Sequence, residues 1–423
     1  MPILRYSGRP RIGEPMKKGP LAALFLTVFL DLLGFGLVVP FLPGVARDLG
    51  ASDLGATLLG TAYSLMQFLF IPLWGRLSDR VGRRPVLLVS IAATAASMAL
   101  LGFAGTLPLL FAARLLGGAA TANLAVAQAY IADVTTPDTR ARGMALIGVA
   151  FGVGFVIGPL VGGELGRVVM FGREGPLAAF AAAGLSVVNL VWAFFGLPES
   201  LPPREARTEA SAAFTRRRGP IDRENFRVLG LVPGLGRAVF ATFVMTFFFS
   251  GMEITFRLFT ADAFSMSVVS TGRVFGYVGV VAVLVQGGLI GRLNRKFGEV
   301  RLLVVGLSLM GIGFAATGAS AIVPMAGFAG LMIGMTGIAV GNSLSVPTLS
   351  SYISRQAGRE HQGAVLGANQ SMSALARALG PVAAGLTYDF WHISAPYFVG
   401  ATGFIVLAVI VRTLPALRSE AKA

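Results

Sequence analysis

Apolar runs of about 20 residues, the length a helix needs to cross a hydrocarbon core of roughly 30 Å, recur along almost all of this 423-residue chain. Twelve can be read: 21–42, 54–74, 86–104, 107–132, 144–163 and 177–197, then 238–261, 268–290, 302–319, 322–346, 364–387 and 395–414. With 55% hydrophobic and 13% charged residues, the chain has more apolar surface than a soluble fold of its size would bury. The expected fold class is an all-α integral membrane protein.

Two of the polar connections are copies of one another. GRLSDRVGRRP at 75–85 and GRLNRKFGEVR at 291–301 lie 216 residues apart, each between two apolar runs. Gly75, Arg76, Leu77 and Gly82 recur as Gly291, Arg292, Leu293 and Gly298, while Arg295 stands where the first copy has Asp79. AYIA at 129–132 is echoed by SYIS at 351–354, and Gly158-Pro159 by Gly380-Pro381, both at a spacing of 222. Asp31 and Glu253 share that spacing. Six spans have been duplicated, which predicts two pseudo-symmetric six-helix bundles, 21–197 and 237–414.

A formal charge of +15 raises the possibility of a nucleic-acid partner. The placement of the charge argues otherwise. With the N-terminus inside, 28 of the 35 Lys and Arg residues fall in alternate connections on one side, and only Arg47, Arg167, Arg173 and Arg273 on the other. That asymmetry sets a cytoplasmic tail (1–20), a cytoplasmic linker (198–236) and a cytoplasmic C-terminal tail (415–423). The polar first residues read as a tail and not a signal peptide. The linker lacks hydrophobic periodicity and is expected to be a tether, with a short surface helix near 223–228.

No cysteine is present, and His361 and His392 fall in predicted loops, so no metal site is expected. Neither a Walker-type phosphate loop nor a Gly-x-Ser-x-Gly elbow occurs. The chain is expected to need no cofactor, to use no ATP and not to be an enzyme.

An ionisable residue inside a span costs about 2.5–3.5 kcal/mol on insertion scales, so each one marks a candidate site. Asp31 and Glu253 are the acids, and Arg114, Arg257 and Arg377 the arginines. Thr246, Ser250, Glu253, Arg257 and Thr260 fall on one helical face, as do Arg114, Gly118, Thr121 and Gln128, and again Gln370, Ser373 and Arg377. These faces are expected to line a wet central cavity. Burial opposes ionisation of a carboxyl and a nearby guanidinium favours it, so a cavity that changes shape moves a proton. Asp31 and Glu253 are therefore the expected proton-coupling groups, with Arg114, Arg257, Arg377, Gln128 and Gln370 tuning them or touching substrate. Neutralisation of Glu253 by Arg257, four residues on, is the competing reading, as is a fixed arginine partner for Asp31.

Gly154, Gly158 and Gly162, with Pro159, form a small-residue strip for close helix packing, and Pro159 is expected to bend its helix. In the first turn, Gly75, Asp79, Arg80, Gly82, Arg83 and Arg84 form a candidate conformational latch.

These motifs resemble the major facilitator superfamily. GRLSDRVGRRP is similar to its signature between helices two and three. FLDLLGFGLVVPFLP at 29–43, RLLGGA at 114–119 and GVGFVIGPLVGG at 152–163 resemble the twelve-helix drug/proton antiporter branch, and YSLMQFLFIPLWGRLSDRVGRRPVLLVS with AYIADVT the tetracycline/proton antiporters. The resemblance implies a role for Asp31 in proton coupling or substrate contact, an influence of Arg114 on its protonation, and Asp133 as ionic partner of the latch. Spans eight and nine hold no His, Asp or Glu, and Glu253 is an addition to the family pattern.

The expected function is a proton-coupled secondary transporter that exports a drug-like hydrophobic or amphiphilic small molecule by alternating access. It is expected to work as a monomer in the cytoplasmic (inner) membrane, with lipid, protons and a small substrate as partners and no nucleic acid. The alternative is a carrier of a small organic anion or sugar, in which Arg114 and Arg377 bind a carboxylate directly. A non-transporting receptor or scaffold is the third reading.

Overall fold

The computed structural model describes residues 18–135, 137–201, 229–230, 232–323, 325 and 327–415. The helix expected near 223–228 and most of the linker lie outside them. Helix α1 (Lys18–Val38) stops just before Pro40, which has no N–H to continue it, and α2 (Leu42–Asp48) restarts with proline in its first turn. Ser52 caps α3 (Asp53–Val81) by accepting from the Gly55 N–H at 3.1 Å. The chain then reverses at Gly82, whose φ of 114° only glycine adopts readily, into α4 (Arg83–Phe103). The predicted fourth span is split into α5 (Leu107–Ala120) and α6 (Leu124–Val134). Helices α7 (Pro137–Gly166) and α8 (Pro176–Gly196) complete the first half, and α7 runs on as helix through Pro159.

The second half opens with α9 (Leu235–Phe264) and α10 (Val268–Leu284), which passes through a π-helical segment (Val285–Leu289) into α11 (Ile290–Phe297). Gly298, at φ 78°, repeats the reversal of Gly82 and leads into α12 (Glu299–Ser320). Next comes α13 (Gly327–Phe390), a helical run of 64 residues, and then α14 (Ala395–Val411). A straight rod of that length would measure about 96 Å, three times the hydrocarbon thickness. Gly334 instead packs on Thr317 near the end of α12, Tyr352 donates to the Pro415 carbonyl, and Tyr388 reaches Asp262 near the end of α9. The run therefore goes down and back as two passes. His361, expected in a loop, lies in the helical backbone between them.

Among the described residues, nine helical segments are long and apolar enough to cross a membrane, and Gly152–Gly166 and Ala395–Val411 are shorter apolar helices. The second pass of α13 completes the twelve spans of an all-helical integral membrane protein.

Within the first half, α1 packs on α7 and α8, α3 on α5, and α4 on α8; within the second, α13 packs on α9 and α12, and α14 on α12. The halves meet along α7 with α10 and α3 with α13. Gly272 and Gly163 touch backbone to backbone beside the Pro159 carbonyl, Gly279 sits on Val156, and Gly60 meets Ile254 and Pro381. These approaches lie away from the arginine-rich turns. Nearer the turns, Gly75, Gly152, Gly287 and Gly291 each have open space where a side chain would project.

Candidate functional site

Glu253 of α9 is half-buried, and its Oε1 is buried without a hydrogen-bond partner. The charged groups acting on it are Arg377 of α13 and Arg114 of α5, one from each half. Arg114, only 4% exposed, lies over the Tyr63 ring at 4.2 Å, and its Nε points to the Leu59 carbonyl at 3.5 Å. Tyr63 Oη is 2.5 Å from Thr121 Oγ1, and its ring tilts against Phe35 at 5.4 Å. Tyr63 and Glu253 are the groups that act electrostatically on both arginines. Among the described residues none of the three charges closes an ion pair. Two guanidinium groups, one carboxyl and an aromatic ring thus act on one another across the two halves, and the carboxyl keeps a buried oxygen with no hydrogen bond.

Asp31 is differently placed. Its Oδ1 accepts from Asn189 at 3.0 Å and its Oδ2 from Asn123 at 3.2 Å. Asn123 also donates to Ser90 Oγ at 2.8 Å, and Asn189 to the Thr27 carbonyl at 3.1 Å. Among the described residues no arginine is bonded to Asp31, so its expected coupling to Arg114 has no direct contact behind it. Nor does Arg257 pair with Glu253. Its Nη1 donates to the Met266 carbonyl at 2.9 Å, turned toward the end of α9 and toward Glu174, Arg47, Asp262 and Asp48.

The expected polar face of α9 is broken up in the same way. Ser250 bonds the Phe247 carbonyl and packs on Gly380, and Thr260 bonds Thr271, so both serve helix contacts and not a cavity. Gln128 and Gln370 are half-buried, with no hydrogen bond among the described residues.

At the candidate latch, Arg83 sits between Asp79 and Asp133, 3.1 Å from the latter, and also donates to Ser78. The start of the linker joins this knot and is no loose tether there. Glu199 accepts from the backbone N–H groups of Arg83 (2.9 Å) and Arg84 (3.1 Å), a carboxylate on the first turn of α4. Ser200 donates to Asp133, and Arg84 donates to the Phe194 carbonyl at 2.5 Å. Arg80 is exposed. Of the packing strip, a methyl on Gly158 would stand 2.7 Å from the Gly36 Cα; Gly154 faces Leu32 and Leu33, and Gly162 faces Leu37.

Sequence reasoning missed three features. Asn189, the sole amide in an otherwise apolar span, and Asn123 carried a signal, because a polar residue in hydrocarbon seeks a partner. Tyr63 gave little. A fork from Arg47 to Asp262, with Nη1 and Nη2 each at 2.6 Å, joins the halves at the end opposite the arginine turns. Arg47 also reaches Asp53 at 2.5 Å, and Tyr388 donates to Asp262 at 2.7 Å. Partners 215 residues apart in sequence leave no local trace.

The sequence model of the Major Facilitator Superfamily matches residues 24–381, and again 287–423. The chain belongs to that superfamily. It is 32% identical to a bovine major facilitator superfamily domain-containing protein 10, over 93% of this chain and 92% of that one. It is also 32% identical to the Escherichia coli class C tetracycline resistance protein, over 95% and 97%. A crystal structure of the human organic anion transporter MFSD10 (TETRAN) aligns with a TM-score of 0.68 at 28% identity, covering 94% of this chain and all of that one. As a major facilitator, the chain is a membrane-embedded transporter of a small molecule.

Proposed function

We propose that this transporter is a proton-coupled carrier of small amphiphilic organic anions. The observation that carries the reading is the unpartnered Glu253 Oε1, on which Arg114 and Arg377 act from the two halves. An ionised Glu253 offsets part of the two positive charges. A substrate carboxylate entering between the arginines displaces it and gains charge-assisted hydrogen bonds. Two anions crowded into one site raise the cost of charge on Glu253, which takes up a proton. Anion and proton then share the site, and rocking of the halves exposes both to the other side. Phe35 and Tyr63 offer the apolar wall for the rest of the substrate. Asp31 is a second acid held by Asn123 and Asn189, and the bonds around Arg83 support a latch role for Asp79, Arg84 and Asp133, with Arg80 exposed beside them. The termini and arginine turns are assigned to the cytoplasm by charge asymmetry. The two bundles are assigned 21–197 and 237–414 from the repeat spacing.

A second reading, export of a lipophilic compound by proton antiport, is favoured by the likeness to tetracycline resistance proteins. The sign of proton movement separates the two. Purified protein in weakly buffered detergent solution is titrated with a panel of aromatic carboxylates and a panel of lipophilic cations. Proton uptake on adding a carboxylate, lost in Glu253→Gln, is the expected result. Proton release on adding a cation, with no response to any anion, overturns the proposal in favour of the antiporter.

A further inference from the structure

The two copies of the charged turn have the same cation count but differ in what the cations meet. In the first copy Arg83 is buried among carboxylates and Arg84 is half-buried against Phe194, so only Arg76 and Arg80 stand exposed. In the second copy Arg292, Arg295, Lys296 and Arg301 are all exposed. Among the described residues none of the four has a carboxylate partner. The one acid of that turn, Glu299, is 7% exposed and turned inward to Ser351 at 2.7 Å and Arg355 at 3.7 Å.

Beside these charges lies an apolar surface. Leu284, Leu289 and Phe297 are 65%, 48% and 44% exposed, on the stretch where the π-helical segment leads into α11. The span from Val268 to Phe297 has 30 residues. At 1.5 Å per residue it is about 45 Å long, so its last turns pass out of a 30 Å core into the headgroup layer. Cations at that depth, above the exposed aliphatic Leu284 and Leu289, match a phosphate headgroup with its acyl chains below, and Phe297, the last residue of α11, stands beside Lys296 at headgroup level.

We infer that the turn at 291–301 is a binding surface for anionic phospholipid, with Arg292, Arg295, Lys296 and Arg301 on the headgroup phosphate and Leu284 and Leu289 along the chains. The first turn, whose inner two cations are spent on Asp79, Asp133 and Phe194, is not an equivalent surface. Lipid on one turn alone tethers the second half more firmly to the leaflet than the first.

The test is native mass spectrometry of the full chain, from detergent supplemented with phosphatidylglycerol or phosphatidylcholine at equal concentration. Retention of phosphatidylglycerol at least fivefold above phosphatidylcholine is expected, falling to near parity in Arg292→Gln/Lys296→Gln. The charge-matched Arg76→Gln/Arg80→Gln variant keeps most of the preference. Equal loss in both double variants overturns the inference, because it leaves only diffuse attraction to a positive face. Displacement of the lipid by an equal concentration of glycerol 1-phosphate also overturns it, since the acyl chains then contribute nothing. A fluorescence melting curve for each variant identifies loss of fold, and for a misfolded one Arg295→Gln/Arg301→Gln replaces the pair under the same criterion.

Discussion

Asp31 and Glu253 occupy matching places in the duplicated halves, yet their surroundings are opposite in kind. Asp31 has both oxygens satisfied by amides of its own half. Glu253 has a buried oxygen with nothing to accept from, and its charged neighbours come from both halves. A carboxylate with a full set of donors resists change, because removing any one leaves a buried group unsatisfied at a cost of about 1–3 kcal/mol. On the proposed reading, a carboxyl with an unpartnered buried oxygen, acted on by guanidinium groups of different bundles, changes its state when the bundles move. Duplication supplied two acids, and packing gave them different surroundings.

Glu253→Gln puts the largest strain on this contrast. Proton-driven flux in proteoliposomes should fall at least 100-fold, while exchange of substrate without a proton gradient persists. A larger loss of coupling in Asp31→Asn than in Glu253→Gln reverses the comparison. Next come the arginines. Arg377→Gln and Arg114→Gln should each weaken anion binding by about 1.5–3 kcal/mol, roughly 10- to 150-fold, in a calorimetric titration. Unchanged affinity in both places the substrate elsewhere.

Asp31→Asn sharpens the contrast from the other side. It presents an amide N–H to Asn123 or Asn189, themselves donors, so one contact becomes repulsive. The expected result is about 1–3 kcal/mol of lost stability in thermal unfolding with coupling largely kept. Asp262→Asn is smaller still. It weakens the Arg47 fork at the end where the halves meet, and should raise the population open at that end a few-fold. The chain has no native cysteine, so spin labels on introduced pairs read that opening without background.

Much of the fold was legible because hydrocarbon permits few solutions: about 20 apolar residues and a charged turn, repeated, leave little besides a helical bundle. The duplicated turn announced its own geometry in Gly82 and Gly298, both at positive φ. The site was legible only as a list of expensive residues. A charge in a span reveals that a partner is needed, but not where it comes from, and the periodicity of α9 aligned Glu253 with Arg257 although they face different surroundings. Asn189 was visible as a lone amide. The Arg47–Asp262 fork was hidden, since its partners follow from how two bundles dock and not from any local pattern.

Helix α7 carries one further implication. On one side its glycines lie so close to Gly36 and Leu37 of α1 that no methyl group fits between them; on the other, Gly163 and Pro159 touch Gly272 in the opposite bundle. A rod welded to its own bundle and seated in a shallow glycine track of its neighbour has the build of an axle in a bearing. Backbone meets backbone at Gly163 and Gly272; further along, Val156 and Leu160 stand on Gly279 and Gly276, so a roll of the two surfaces would pivot at the glycine contact and slide side chains over a glycine floor.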